Sequence, residues 1–199
     1  MTARIVVLFT LAMAIAPLAL RAQSGEATVF AGFARPSGGD IGRYGIGAQE
    51  IQLADGWRAG ARVSFNSGAL TGHELTYGYE RHDIEIGGAP ESTARMQQFA
   101  YNFVLHVMPK GSMVRPFVTA GAGYTTFSPG DGGIFRDGRN ENKFGYNYGG
   151  GLKFKLSRWV GMRVDARDHV TGKPNFLDLN GLSGRLHSLE VSAGFSLLF

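Results

Sequence analysis

The chain has 199 residues, no cysteine and a formal net charge of +4; 30 residues are glycine, 12% are aromatic and 18% are charged. The length favours a single domain, and the missing cysteine excludes disulfides. Glycine at about twice its ~7% average usage, with charge below the usual ~25%, suits a β-sheet that has one face in lipid, but equally a Gly-rich soluble β-protein.

Arg4, the apolar run Ile5 to Leu20 broken only by Thr10 and Pro17, and Leu20-Arg21-Ala22 ahead of Gln23 form the pattern of a secretory signal cleaved after Ala22. The run is short for a helical span, which needs ~20 residues. Residues 1–22 are therefore expected to be a signal peptide and residues 23–199 the mature domain. Removal takes away Arg4 and Arg21 and no acid, so the charge falls from +4 to +2 and supplies no argument for nucleic acid. No later stretch reaches 18 consecutive apolar residues. If this chain enters a membrane, it does so as strands.

In chain order, the first predicted strand is Glu26 to Ala34, with Val29, Ala31 and Phe33 on one face and Phe30 and Gly32 on the other. A polar, Gly-rich connection runs from Arg35 to Asp55, and part of it, Tyr44 to Leu53, can extend the neighbouring strands as a hairpin. Next is Gly56 to Asn66, where Trp57, Ala59, Ala61, Val63 and Phe65 alternate with Arg58, Gly60, Arg62 and Ser64. The third strand, Leu70 to Asp83, sets Leu75, Tyr77 and Tyr79 against Glu74, Thr76, Gly78 and Glu80, and Glu85 to Ser92 is expected to be a loop. The fourth, Ala94 to Val107, and the fifth, Val114 to Phe127, flank a short turn at Pro109-Lys110-Gly111. A second long loop spans Ser128 to Asn142. The sixth strand, Lys143 to Leu156, is joined by a minimal turn at Ser157-Arg158 to the seventh, where Val160, Met162, Val164 and Ala166 oppose Gly161, Arg163, Asp165 and Arg167. Thr171 to Gly184 is the last loop. The closing strand, Arg185 to Phe199, has Leu189, Val191, Ala193, Phe195, Leu197 and Phe199 on one face.

Eight strands with alternating long and short connections predict an all-β, antiparallel, up-and-down transmembrane barrel with both termini at the short-turn end. A soluble barrel of the same size is the rival, with apolar side chains in its lumen. Parity argues against it. One face of the strands collects Arg58, Arg62, Glu74, Glu80, Arg115, Lys153, Lys155, Arg163, Asp165, Arg167 and Glu190, and the other nearly all the Phe, Tyr, Leu and Val. A soluble monomer could not expose an all-round belt of aromatics.

The signal-like start, the Phe195-Ser-Leu-Leu-Phe199 ending, Gly149-Gly-Gly-Leu152 and Val160-Gly-Met-Arg-Val-Asp165 together resemble the eight-stranded outer-membrane β-barrel family of the OmpA type. The resemblance covers nearly all of Gln23 to Phe199 and implies location in the bacterial outer membrane. It also implies contact with outer-membrane lipids, delivery by the barrel-assembly machinery and a monomeric state. By the same resemblance Phe195, Leu197 and Phe199 form the assembly signal. A periplasmic peptidoglycan-binding domain is not among the features of this sequence that carry the resemblance, so anchoring to the cell wall is not expected.

With eight strands the lumen has room only for side chains. Parity assigns it seven cations (Arg58, Arg62, Arg115, Lys153, Lys155, Arg163, Arg167) and four anions (Glu74, Glu80, Asp165, Glu190), expected to form an ion-pair network. Arg163, Asp165 and Arg167 share one face and are its expected centre, whether as a structural plug or as a gated ion path. A small lipid-modifying enzyme is the alternative from another class. His187 and Ser188 point to opposite faces, however, while His169 and Thr171 face the lumen, so no catalytic residues are expected. Asp131, Asp137, Asn140 and Glu141 lack a calcium-loop spacing, and the Gly-rich runs lack a phosphate-loop Lys, so neither metal nor cofactor is expected. The glycines are expected to make room for bulky lumen side chains.

Overall fold

The computed structural model describes residues 25–37, 40–44, 49–130, 140–173 and 184–199. The expected signal peptide, 1–22, lies outside them. Nine strands are present: β1 (Gly25–Ser37), β2 (Asp40–Tyr44), β3 (Gln49–Phe65), β4 (Thr71–Ile86), β5 (Ala89–His106), β6 (Val114–Pro129), β7 (Glu141–Lys155), β8 (Val160–Gly172) and β9 (Arg185–Leu198). β1 pairs antiparallel with both β3 and β9, which closes β1 and β3 to β9 into an eight-stave antiparallel barrel. β2 is a short addition paired only to the first residues of β3.

Register sets the geometry. Paired residues lead from Glu26 through Ser64, Glu74, Asn102, Gly121, Asn147, His169 and Ser188 back to β1 at Pro36, ten residues further along the strand. This stagger tilts the staves by roughly 35–45° and leaves an interior that side chains can span.

Two expectations are corrected. Glu85 to Ser92 is not a loop: β4 and β5 continue outward and meet at Gly87-Gly88, whose φ values of 59° and 85° suit a two-residue hairpin turn that few other residues tolerate. The polar connection from Arg35 is also strand beyond the hairpin expected over Tyr44 to Leu53, which is present as the β2–β3 pair. Across this connection, β3 carries a bulge between Leu53 and Gly56: Ala54 and Asp55 stand against the single residue Asp83 of β4, between the pairs Leu53–Ile84 and Gly56–His82. The extra residue reverses parity, so Ile51 and Leu53 point inward just as Arg58 and Arg62 do. They join Ile84, Ala94, Met96, Phe127 and Leu186 in an apolar layer inside the end of the barrel remote from the termini.

The other face of every stave is exposed and mostly apolar. Phe33 is 77% exposed and Phe195 62%, with Val29, Trp57, Leu75, Tyr77, Phe99, Tyr101, Val118, Tyr124, Phe144 and Val191 also on this surface. Trp57 packs on Tyr79 and Tyr124 on Phe144, with ring centroids 5.5 and 5.4 Å apart. Water would not tolerate this belt; lipid does.

Candidate functional site

Between the apolar layer and the chain termini the interior holds charge. Arg58, Arg62, Arg163, Arg167, Glu74, Asp165 and Glu190 are all buried, each placed inward by strand alternation. The bonds among them run from wall to wall. Arg163 on β8 donates from Nε and Nη2 to both oxygens of Asp165, each at 2.8 Å, and from Nη1 to Glu74 Oε2 at 2.7 Å. Arg167 Nη2 reaches Glu74 Oε1 at 2.8 Å and Asp165 Oδ1 at 2.9 Å. β4 and β8 are diametrically opposed staves, so the Glu74 carboxylate joins opposite walls. Arg62 on β3 reaches Asp165 Oδ2 at 3.3 Å and also bonds Glu190 on β9. Arg58 bridges Glu80 and Glu190, with Nη2 2.7 Å from Gln98 Oε1.

Aromatic rings and histidines complete the layer. The Arg62 guanidinium lies 3.6 Å from the centroid of the inward ring of Phe30, and Arg163 lies 4.9 Å from that of Phe117. Such stacking stabilises a cation held away from water. His82 Nε2 contacts Glu80 at 3.0 Å and His169 Nε2 contacts Glu190 at 2.9 Å. Gly78 makes the expected room: a Cβ there would stand 2.5 Å from the Arg58 guanidinium.

Eight of the nine network residues expected from the sequence are brought together: Arg58, Arg62, Glu74, Glu80, Arg163, Asp165, Arg167 and Glu190. Arg115 is the exception. It sits at the terminus end and donates to Met108 O, Ala69 O and Asn66 Oδ1 at 2.8–2.9 Å, clamping two turns rather than meeting an acid. One acid was missed. Glu26, on the inward parity of β1, bonds Lys153 and accepts from Ser196 Oγ at 2.7 Å. Its alternation with Val29 and Phe33 was visible in the sequence. With Glu26 included, and with Arg115 and Lys155 set apart at the terminus end, the central network balances: Arg58, Arg62, Lys153, Arg163 and Arg167 face Glu26, Glu74, Glu80, Asp165 and Glu190. Lys155 is half-buried beside a recess of about 70 Å³ that Glu26, Lys110, Arg115 and Lys153 also line.

A second polar cluster faces outward. His187 Nδ1 and the Tyr148 hydroxyl each lie 2.8 Å from Asp168 Oδ2. Of the calcium candidates, Asp131 and Asp137 lie outside the described residues, while Glu141 pairs with Lys143 at 3.0 Å. Among the described residues no cluster of three or more His, Asp or Glu could hold a metal.

Comparison with curated proteins gives no match. Among solved structures the chain is similar to Neisserial surface protein A, with a TM-score of 0.62 and 16% identity over 88% of this chain and 97% of that one. It is also similar to the outer membrane protein OprG of Pseudomonas aeruginosa, with a TM-score of 0.60 and 15% identity over 89% and 97%. The N-terminal β-barrel domain of OprF from the same organism gives 0.51 and 15% over 87% and 97%. At such identities these likenesses speak for the fold. The family model of the outer membrane protein beta-barrel domain matches residues 5–196, nearly the whole chain. With its closed eight-stave barrel and continuous lipid-facing belt, the chain belongs to the outer membrane protein beta-barrel domain family and resides in the bacterial outer membrane.

Proposed function

We propose that this protein is a non-catalytic, monomeric barrel with a lumen closed by its own side chains, acting through its outer surface or as a structural element of the outer membrane. The observation that carries this reading is the Glu74 carboxylate held between Arg163 and Arg167 on the opposite wall. An ion path along the axis must part these bonds, and separating a buried charge from its partner commonly costs roughly 3–5 kcal/mol. The apolar layer around Ile51, Ile84 and Phe127 is a second barrier in series. Delivery by the barrel-assembly machinery through Phe195, Leu197 and Phe199, and solvation by outer-membrane lipids, belong to the same reading. Protein-loaded vesicles carrying a pH-sensitive dye test it: proton and salt flux should match that of empty vesicles, and rapid flux would overturn the closed lumen.

One observation favours a second reading, a lipid-acting hydrolase. Asp168 holds His187 Nδ1 on the lipid-facing wall, and the exposed Ser37 is the registered partner of His187 on the other side. This is the order in which acid, base and nucleophile are arranged in a triad, although no hydrogen bond joins Ser37 to His187. Loss of an ester-hydrolysing activity in both Ser37→Ala and His187→Ala would favour the enzyme.

A further inference from the structure

On the lipid-facing surface, Phe33, Trp57, Arg81, Arg95 and Ser128 form one row of registered partners across β1, β3, β4, β5 and β6. Arg81 and Arg95 are therefore directly opposed on neighbouring strands, and both are exposed. Like charges placed so repel each other. Among the described residues neither makes an ion pair or side-chain hydrogen bond. The nearby Arg35 differs, since it pairs with Asp55 at 3.6 Å. Asp83, two residues beyond Arg81 on the same face, pairs with neither arginine.

Their height on the barrel explains what such a pair can do. Toward the termini, β4 continues on this face as Tyr79, Tyr77 and Leu75, and β5 as Gln97, Phe99 and Tyr101. The arginines thus sit just beyond the aromatic edge of the apolar belt, at the end remote from the termini. In a barrel with short periplasmic turns this end lies at the headgroups of the outer leaflet. Directly opposed residues hold their Cβ atoms about 5 Å apart, close enough for two guanidinium forks to grip one phosphate.

We propose that Arg81 and Arg95 form a binding site for a phosphate of a phosphorylated outer-leaflet lipid, whose acyl chains pass beside Trp57 and lie along Tyr79 and Phe99 below. The phosphate removes a repulsion that no ion pair among the described residues relieves. This inference rests on the outer-membrane placement and is independent of whether the lumen is closed.

The test uses the mature chain in phosphatidylcholine nanodiscs doped with bisphosphorylated lipid A or its dephosphorylated form, and native mass spectrometry counts the lipid retained. The parent should hold the phosphorylated lipid at least about tenfold more tightly than Arg81→Gln/Arg95→Gln, a factor equivalent to ~1.4 kcal/mol. Both proteins should hold the dephosphorylated lipid equally weakly. Arg158→Gln, a change at the opposite end of the barrel, should leave retention unaltered, and excess inorganic phosphate should compete only weakly. The double variant loses only repulsion in zwitterionic detergent and should fold at least as well there; the two single variants, each weaker than the parent, provide an independent check. Equal retention by parent and double variant, or by the parent for both lipids, overturns the site. Competition by inorganic phosphate as effective as that by the lipid would show an anion site with no lipid preference, and would also overturn it.

Discussion

Glu74 and Arg163 stand on diametrically opposed staves of the barrel and are joined across the lumen at 2.7 Å. Neither side chain could remain there alone, because an unpaired charge deprived of water is far more costly than a satisfied one. Each is multiply held: Glu74 also accepts from Arg167 and from Ser64 Oγ at 3.0 Å, and Arg163 grips Asp165 with two nitrogens. The interior is thus a charge-balanced lattice, with each carboxylate tying together residues on different strands.

Asp165 gathers three guanidiniums, receiving bonds from Arg62, Arg163 and Arg167. Asp165→Ala leaves three guanidiniums with one acid fewer and should destabilise the barrel by roughly 3–5 kcal/mol. Lys155→Ala, at the half-buried mouth, should change stability by less than about 1 kcal/mol. Urea-induced unfolding in lipid vesicles, followed by tryptophan emission, measures both.

Gly78 lies against Arg58, where an added methyl would approach the guanidinium to 2.5 Å. Arg58 cannot swing away without leaving Glu80, Gln98 and Glu190. Gly78→Ala should therefore destabilise by about 1–3 kcal/mol, the usual range for overpacking. Gly88→Ala meets no neighbouring atom but strains a left-handed turn position, and should cost only about 1 kcal/mol. The same unfolding assay ranks the two.

The lipid-facing and interior sets were legible because strand alternation separates them residue by residue. The eight staves were legible for the same reason. Which cation meets which acid was not: Glu74 finds Arg163 only through the stagger accumulated across the four strand pairings between β4 and β8, a quantity that no single strand encodes. The bulge after Leu53 hid the inward direction of Ile51 and Leu53 by shifting their parity, and with it the apolar layer. Glu85 to Ser92 read as a loop because two glycines and a proline punctuate it, yet Gly87-Gly88 is a turn that prolongs two strands. Arg115 shared the parity of the network and differed only in height along the barrel, which alternation cannot register.

Phe199 and Gly25 exchange two backbone hydrogen bonds, at 2.8 and 3.0 Å, and the Phe199 ring covers Gly25 closely enough that a Cβ would meet it at 2.2 Å. The terminal residue is thus part of the seam between first and last strands. Deleting Phe199 should lower the folded fraction in outer membranes several-fold, whereas deleting residues 130–133 should leave most of it folded. Heat-modifiable mobility on gels, quantified from membrane fractions, reads the difference. Equal tolerance of the two deletions would remove Phe199 from the assembly signal.

The closed lumen is tested most directly by planar-bilayer recording of the unmutated protein. With opposite walls joined through Glu74 and Asp165 and the charges of the central network balanced, insertions should leave the membrane electrically silent at moderate voltage. Rare leak events should lack the strong anion preference that an excess of inward cations would impose. A steady, ion-selective conductance in most insertions would contradict the closed interior and make the barrel a channel.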